Sequence, residues 1–292
     1  MNYEGRIIRP PNEADSLILQ VTVGCSHNRC TFCPAYIEKK FRIKSKEEIF
    51  SDIDDAALNT CGDVRRIFLC DGDPLIMKQD LLAEILDRLL LKFPKLLRVG
   101  IYANAKSILR KSGEELKGLR QKKLSIVYMG LESGDPQTLE FVKKGATIDN
   151  MVDAAARVRN AGMKLNVTVL LGLGGKKRSR VHAKETIKVL NRMEPNHIGA
   201  LTLMVVPGTP LYDHQIKGRF ELPGKFELVN ELKIMIEGSD LKNCLFFSNH
   251  ASNYFPIQAR LPRDKEKILA ELEAVISSDD DRNLRDEFMR GL

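Results

Sequence analysis

The sequence predicts an α/β fold: a partial (β/α)6 TIM-like barrel with a short C-terminal extension. Three observations lead there. Short apolar runs alternate with longer amphipathic stretches six times between residues 17 and 237, and regular alternation of that kind builds a parallel sheet with right-handed crossovers. Glycine-, acid- and proline-rich signatures follow the ends of the first, second, fourth, fifth and sixth runs, which in a parallel barrel is the end where ligands bind. Six units are fewer than a closed barrel needs, so the sheet is expected to stay open.

Residues 1–16, with Pro10-Pro11, read as an irregular lead-in. Leu17 to Val23 is short and β-branched, a buried strand. Ser45 with Glu48 three residues on forms a capping box for a helix to Asn59. Arg66 to Cys70 is the second strand, stopped by Asp71-Gly72-Asp73-Pro74. Leu81, Leu82, Ile85, Leu86, Leu89 and Leu90 make Gln79 to Phe93 an amphipathic helix. Leu96 to Tyr102 is a strand, and Ala105 to Lys122 is helical with a break at Ser112-Gly113. Leu124 to Met129 is a strand, and Pro136 to Ala161 is helical with a break between Gly145 and Thr147. Strand Lys164 to Leu171, helix Val181 to Met193, strand His197 to Val205 and helix Phe226 to Ile236 complete the pattern. The organisation is therefore 1–16 lead-in, 17–240 barrel and 241–292 extension. The extension holds a helix over Asp264 to Ile276 and a charged tail, expected to be mobile, over Ser277 to Leu292.

Composition narrows the function classes. A hydrophobic share of 43% and a charged share of 29% fit a globular chain. No apolar run approaches the ~18 residues that span a bilayer, and the polar start lacks a signal-peptide core. The expectation is a cytoplasmic protein with no membrane partner, whose six cysteines are ligands or free thiols. A formal net charge of +7 suits an anionic substrate or RNA. The absence of Trp and 6% aromatic content argue against a base-stacking surface.

The richest stretch is Gly24 to Cys33. Cys25, Cys30 and Cys33 fall within nine residues as C-x4-C-x2-C, directly after the first strand. Thiolates this close can share one metal centre, and their softness favours zinc or iron–sulfur. Zinc in a closed structural site takes four ligands, and His27 is available as the fourth. A [4Fe–4S] cluster held by three cysteines would keep one iron open.

The three-cysteine loop and the strand-end motifs together resemble the radical S-adenosylmethionine (radical SAM) superfamily, nearest in style to its coproporphyrinogen-oxidase-like and tRNA-modifying branch. The resemblance covers residues ~17 to ~237. The usual pattern there is C-x3-C-x2-C with an aromatic before the last cysteine. Phe32 takes that place, and this chain carries one extra residue between the first two cysteines. Asp71-Gly72-Asp73-Pro74 stands where relatives have a Gly-Gly-Glu-Pro-like turn that meets the methionine ammonium. Glu132 and Ser133, in Gly130-Leu131-Glu132-Ser133-Gly134, match the ribose region, and Lys144 matches a basic residue reaching the methionine carboxylate. Val167 to Gly175 and Leu201 to Tyr212, with Leu171 and Val205 as contacts, match the segments around the adenine.

The resemblance implies that Cys25, Cys30 and Cys33 hold a [4Fe–4S] cluster and that His27 is a polar loop residue. It implies that S-adenosylmethionine (SAM) is cleaved reductively to a 5′-deoxyadenosyl radical, which abstracts hydrogen from an unidentified substrate. The electron would come from a flavodoxin- or ferredoxin-like reductant. Cys61, Cys70 and Cys244 are scattered and form no second ligand set.

Two stretches lie outside that scheme. Lys176-Lys177-Arg178-Ser179-Arg180 is expected as a solvated loop or a phosphate contact. Phe246 to Tyr254 carries amides, hydroxyls and an imidazole; His250 and Asn253 are the substrate-side candidates, the alternative being a buttress for the extension. The rival reading of the whole chain is a non-catalytic RNA-binding protein bearing zinc or a cluster.

Overall fold

The computed structural model describes residues 1–278 and 280–291. It is a mixed α/β structure with a mostly parallel eight-stranded sheet, hydrogen-bonded in the order β1 (Leu17–Gln20), β4 (Arg66–Cys70), β5 (Arg98–Tyr102), β6 (Leu124–Glu132), β7 (Lys164–Leu171), β8 (His197–Thr202), β9 (Cys244–Phe247) and β10 (Gln258–Leu261). The order follows the chain, as expected when each strand is joined to its neighbour through a helix. The chain divides into two compact units. One comprises Met1–Asn28, Ala35–Met129 and Asp153–Leu165; the other comprises Arg29–Pro34, Gly130–Val152 and the chain from Asn166 on. This division follows compactness and differs from the boundaries at 16/17 and 240/241, which follow the count of strand–helix repeats.

In the first unit, β1 (Leu17–Gln20), β4 (Arg66–Cys70), β5 (Arg98–Tyr102) and the start of β6 (Leu124–Glu132) are parallel neighbours, with Leu19 opposite Leu69, Ile67 opposite Val99 and Ile101 opposite Val127. Ile67 to Cys70 are all buried, the mark of a strand covered on both faces. Helix α1 (Lys46–Asn59) begins at the Ser45–Glu48 capping box, which is formed in both directions, and buries Ile49, Ile53 and Ala56. Helix α2 (Gln79–Lys92) buries Leu82, Ile85, Leu86 and Leu89, the stripe its spacing predicts. The break at Ser112-Gly113 separates α3 (Ala105–Leu109) from α4 (Gly113–Gln121), and Ser112 caps the latter through a second capping box.

The run Leu17 to Val23 is two strands rather than one. Beyond Gln20 the chain leaves the large sheet, and β2 (Thr22–Val23) pairs antiparallel with β3 (Arg42–Ile43). The lead-in is tied down: the Tyr3 hydroxyl donates to the Ile18 carbonyl at 2.7 Å and the Glu4 N–H to Gln20 Oε1 at 2.8 Å. Glu13 is fully buried and bonded to Ser16, Arg98 and Tyr128.

In the second unit, β7 (Lys164–Leu171) and β8 (His197–Thr202) are parallel, with Val169 opposite Ala200. The break before Thr147 separates α5 (Pro136–Phe141) from α6 (Ile148–Asn160). Helix α7 spans Gly175–Met193, so Lys176 to Arg180 form its first turns and not the expected loop. Thr209 caps an additional short helix, α8 (Pro210–Ile216), by accepting from the Tyr212 N–H; the Thr-Pro pair is a start signal that strand-centred reading passes over. Helix α9 (Lys225–Glu237) follows.

The extension joins the sheet. Strand β9 (Cys244–Phe247) runs parallel to β8, β10 (Gln258–Leu261) returns antiparallel to β9, and α10 (Lys265–Ser278) packs on α9. The described part of the tail is anchored, which corrects the expectation of mobility. Leu284 is buried, and Arg285 Nη1 donates to the carbonyls of His250, Ala251 and Asn253 at 2.9–3.0 Å. Arg290 lies 4.1 Å from the Tyr254 ring centroid and donates to the Ser252 carbonyl at 2.7 Å. Among the described residues no helix is long and apolar enough to cross a membrane.

Candidate functional site

In the first unit the start of the cysteine stretch is locked to the turn after β4. Gly24 turns the chain at φ +75°, and its N–H donates to Asp71 Oδ2 at 2.8 Å. Gln20 Nε2 donates to the same oxygen at 3.0 Å, and Lys39 Nζ stands 3.2 Å from it. Asp71 itself adopts φ +69° and is fully buried, a strained backbone held by its surroundings. The Gly72 N–H donates to the Gly24 carbonyl at 2.9 Å. A Cβ on Gly72 would fall 2.5 Å from Cys25 Cβ and 2.7 Å from its Cα, so only glycine lets the turn lie against this cysteine.

Asp73 is fully buried, and every acceptor contact it makes is to the protein: Ser26 Oγ and Ser107 Oγ each at 2.6 Å and the Asn104 N–H at 3.0 Å. Burial pushes its carboxyl above the ordinary range against these three hydrogen bonds. Pro74 is buried behind it and opens a single 3-10 turn. The side chains of Asp71 and Asp73 therefore hold the first residues of the cysteine stretch, Gly24 and Ser26, in place. Asn104 and Ser107 follow β5, the one strand end for which the sequence offered no signature. Their signal is an Asn at a helix start with a Ser three residues on.

In the second unit the stretch continues between two backbone partners. The Thr31 N–H donates to the Val142 carbonyl at 3.0 Å, and the Leu211 N–H donates to the Thr31 carbonyl at 2.9 Å. Phe32 is half-buried against Val142, Leu173, Leu203, Leu211 and Phe220, with Val205 and Leu222 at the same cluster. Leu171 is buried at the end of β7. Cys25, Cys30 and Cys33 are each half-buried, and none of the six cysteines is in a disulfide. Cys70 and Cys244 are buried thiols, each pushed up to about 12 by desolvation. Among the described residues no three His, Cys, Asp or Glu side chains stand converged as a metal site.

Strand β6 runs three residues past Met129, so Gly130, Leu131 and Glu132 belong to it. Glu132 takes φ +64° and accepts from Lys144 Nζ at 2.9 Å, with both side chains about one-eighth exposed. The pair lies over Gly130, where a Cβ would meet Glu132 Oε1 at 2.0 Å and Lys144 Nζ at 3.0 Å. Ser133 is fully buried; its Oγ shares a hydrogen bond with His182 Nδ1 at 2.8 Å and accepts from the Asp135 N–H at 3.0 Å.

His182 and Glu231 were not foreseen. Glu231 reaches from α9 to the glycine turn after β7, accepting from the Gly172 N–H at 2.8 Å and Ser179 Oγ at 2.6 Å. Its carboxyl is pushed up to about 8, chiefly by burial. His182 is pushed down to about 4 by burial, and its Nε2 lies 3.0 Å from the Leu170 carbonyl and 3.7 Å from Glu231. Arg178 forks onto Asp135 at 2.8 and 2.9 Å, so Arg178 and Ser179 of the basic run are committed within the protein.

The two substrate-side candidates differ. Asn253 is 1% exposed; its amide donates to the Ala200 and Ser248 carbonyls and its Oδ1 accepts from Thr202 Oγ1, all at 2.8 Å. That is the buttressing arrangement. His250 is half-buried with Nδ1 held by Ser252 Oγ at 2.9 Å, and burial followed by Arg285 lowers its basicity.

Compared with known proteins, residues 19–190 match the profile of the radical SAM superfamily. The heme chaperone HemW of Bacillus subtilis is 23% identical over 210 residues, 68% of this chain and 53% of that one. The crystal structure of methylornithine synthase (PylB) superposes with a TM-score of 0.55 at 16% identity, over 88% of this chain and 68% of the other. Coproporphyrinogen III oxidase (HemN) from Escherichia coli, a radical SAM enzyme, gives 0.56 at 14% identity over 76% and 51%. The structural likenesses establish the fold. The chain spans about half the length of the curated relatives it matches. The RNA-binding alternative receives no support from them.

Proposed function

Because the chain belongs to the radical SAM superfamily, whose members use a [4Fe–4S] cluster and SAM, we propose that it is an enzyme that cleaves SAM to open radical chemistry on a substrate of its own. The observation that carries this reading is the close seating of Gly72 on Cys25, reinforced by the Gly24–Asp71 hydrogen bond. It fits a cluster-binding loop: a glycine lets the turn's backbone approach the first cysteine, while the three half-buried thiols contrast with the deeply buried, hard-to-ionise Cys70 and Cys244. With both groups bound, the chemistry supplied is one-electron reductive cleavage of SAM to a 5′-deoxyadenosyl radical that takes hydrogen from the substrate.

Cys25, Cys30 and Cys33 hold the cluster. Asp71 and Asp73, whose carboxylates are spent on the protein, leave the backbone of the turn, with Gly72 and Pro74, to receive the methionine ammonium. Glu132 accepts from the ribose hydroxyls, and Lys144 answers the methionine carboxylate. Ser133 orients this end of β6 through His182. Phe32, Leu171 and Val205 supply apolar contact to the adenine and exclude water. His250 is the proton or hydrogen-bond partner for substrate, with Asn253 supporting its loop. The electron comes from a flavodoxin- or ferredoxin-like carrier. The net charge of +7 favours an anionic substrate.

The test is anaerobic reconstitution followed by incubation with SAM and dithionite. About four irons and four sulfides per chain, 5′-deoxyadenosine as product and loss of both in Cys30→Ala support the reading. One tightly bound zinc without sulfide, and no 5′-deoxyadenosine, sinks it.

A further inference from the structure

Building on that reading, we propose that the exposed cationic strip on the first half of α7, continued by the segment after α8, is the docking surface for an acidic one-electron carrier protein. Lys177, Arg180 and Lys184 are exposed and lie at i, i+3 and i+7, one face of the helix. Lys217 and Arg219 are exposed on the neighbouring segment, with Ile216 beside them at 67% exposure. That segment lies against the start of α7: the Lys176 N–H donates to the Glu221 carbonyl at 2.7 Å, their side chains pair at 2.9 Å, and a Cβ on Gly175 would meet Phe220 at 3.1 Å.

Cations such as Lys188, Arg192 and Lys225 are paired with carboxylates, whereas Lys177, Arg180, Lys184, Lys217 and Arg219 form no ion pair among the described residues. Other exposed cations, Lys78, Lys106 and Lys164 among them, also form no ion pair among the described residues, but here five such cations gather on two segments that pack together. The first turn of α7 carries no acidic residue, although a helix N-terminus favours acids and is opposed by cations. Within the run Lys176 and Arg178 are taken up by Glu221 and Asp135, whereas Lys177, Arg180 and Lys184 have no carboxylate of the described chain and are left for a partner of opposite charge.

Position identifies that partner. Phe220, against which the start of α7 sits, packs in the cluster that receives Phe32, and Leu211 at the head of α8 bonds the Thr31 carbonyl. The strip is thus built on the elements that hold the Cys30–Cys33 part of the cysteine stretch, where an electron has to arrive. Opposite surface charge steers such an encounter without demanding tight binding. The transfer moves one electron: the carrier is oxidised by one, the cluster is reduced by one, and no atom or proton changes hands. A single-stranded RNA reader would present exposed aromatics, and Lys177, Arg180, Lys184, Lys217 and Arg219 have none among them; an RNA held by its phosphates alone is an outcome of the test below.

The test compares the full-length protein with its Lys177→Glu/Arg180→Glu/Lys184→Glu variant, and separately with Lys217→Glu/Arg219→Glu. The probe is an acidic flavodoxin, titrated at low and high salt. The expected result is at least about a tenfold loss of flavodoxin affinity at low salt, a flattened salt dependence and a parallel fall in flavodoxin-driven SAM cleavage, with dithionite-driven cleavage unchanged. Flavodoxin binding that is unaltered in both variants overturns the proposal, as does loss of tRNA binding with flavodoxin affinity retained. Wild-type protein that cleaves no SAM with dithionite removes the functional reading instead, while the flavodoxin titration still decides the surface.

Discussion

Lys144 holds Glu132 at 2.9 Å, and Glu132 makes that contact from a left-handed backbone conformation at the last residue of β6. A strained residue at a strand end, paired with a lysine twelve positions on, is where we propose that the ribose hydroxyls and methionine carboxylate of SAM are met. Replacing Lys144 by Met leaves a largely buried carboxylate without its cation. SAM affinity is expected to fall about tenfold or more, on the order of 1.4 kcal/mol, at unchanged iron content. Equilibrium dialysis of SAM against reconstituted protein measures it, and an unaltered dissociation constant removes Lys144 from the site.

Gly72→Ala places a methyl group on the backbone and Cβ of Cys25. Neither neighbour is a flexible chain end, so the cysteine stretch has to move. The expected outcome is a loss of about 1–3 kcal/mol from overpacking and a marked drop in iron and sulfide per chain. Thermal melting of the metal-free protein and iron analysis separate the two effects.

Asp73→Asn keeps the shape but cannot accept from two hydroxyls and an amide N–H as a carboxylate does. A loss of about 1–3 kcal/mol is expected for the disturbed buried network, together with faster loss of the cluster in air, because Ser26 adjoins Cys25. Visible absorbance followed over time gives the second quantity.

Glu231 and His182 predict a specific pH profile. The Glu231 carboxyl is raised in the fold to about 8 from 4.5, so its favourable contribution is complete below 4.5 and is lost as pH rises towards 8. His182 is lowered to about 4 from 6.5, so its contribution is complete above 6.5 and is lost as pH falls towards 4. The two slopes oppose between 4.5 and 6.5. From 6.5 to 8 Glu231 acts alone, at about 1.4 kcal/mol per pH unit. Glu231→Gln can still accept from Gly172 and face Ser179, and it is expected to remove that decline. Denaturant titrations at pH 6.5 and 8 compare the proteins, and equal declines would refute the assignment.

Arg285→Ala removes one guanidinium that bridges three carbonyls of the loop carrying His250. Faster amide exchange over residues 248–254, with exchange in α1 and α2 unchanged, is the expected signature of a local clamp.

The pattern of strands and helices was legible because it rests on local chemistry. Capping boxes at Ser45 and Ser112, the α2 stripe and the apolar run Lys164 to Leu171 each act within a few residues. The errors occur where a distant group overrides the local preference. Arg178 and Ser179 are drawn into α7 by Asp135 and Glu231, and the charged tail is ordered by carbonyls and a tyrosine some thirty residues earlier in sequence.

The site divides in the same way. By itself the sequence determined the three-cysteine spacing, the turn after β4, the Glu132 and Lys144 positions and the βα order, because spacing and strand ends are written along the chain. Only the tertiary structure decided what each of those side chains is used for. It turned Asp71 and Asp73 inward to hold Gly24 and Ser26, joined Glu132 to Lys144, and brought in Asn104, Ser107, His182 and Glu231, because a buried carboxylate takes its partners from whatever the fold brings within hydrogen-bond reach. Of the stretch Gly24 to Cys33 the sequence supplied the thiols. The fold supplied the glycine contact and the carboxylates that hold its first residues in place.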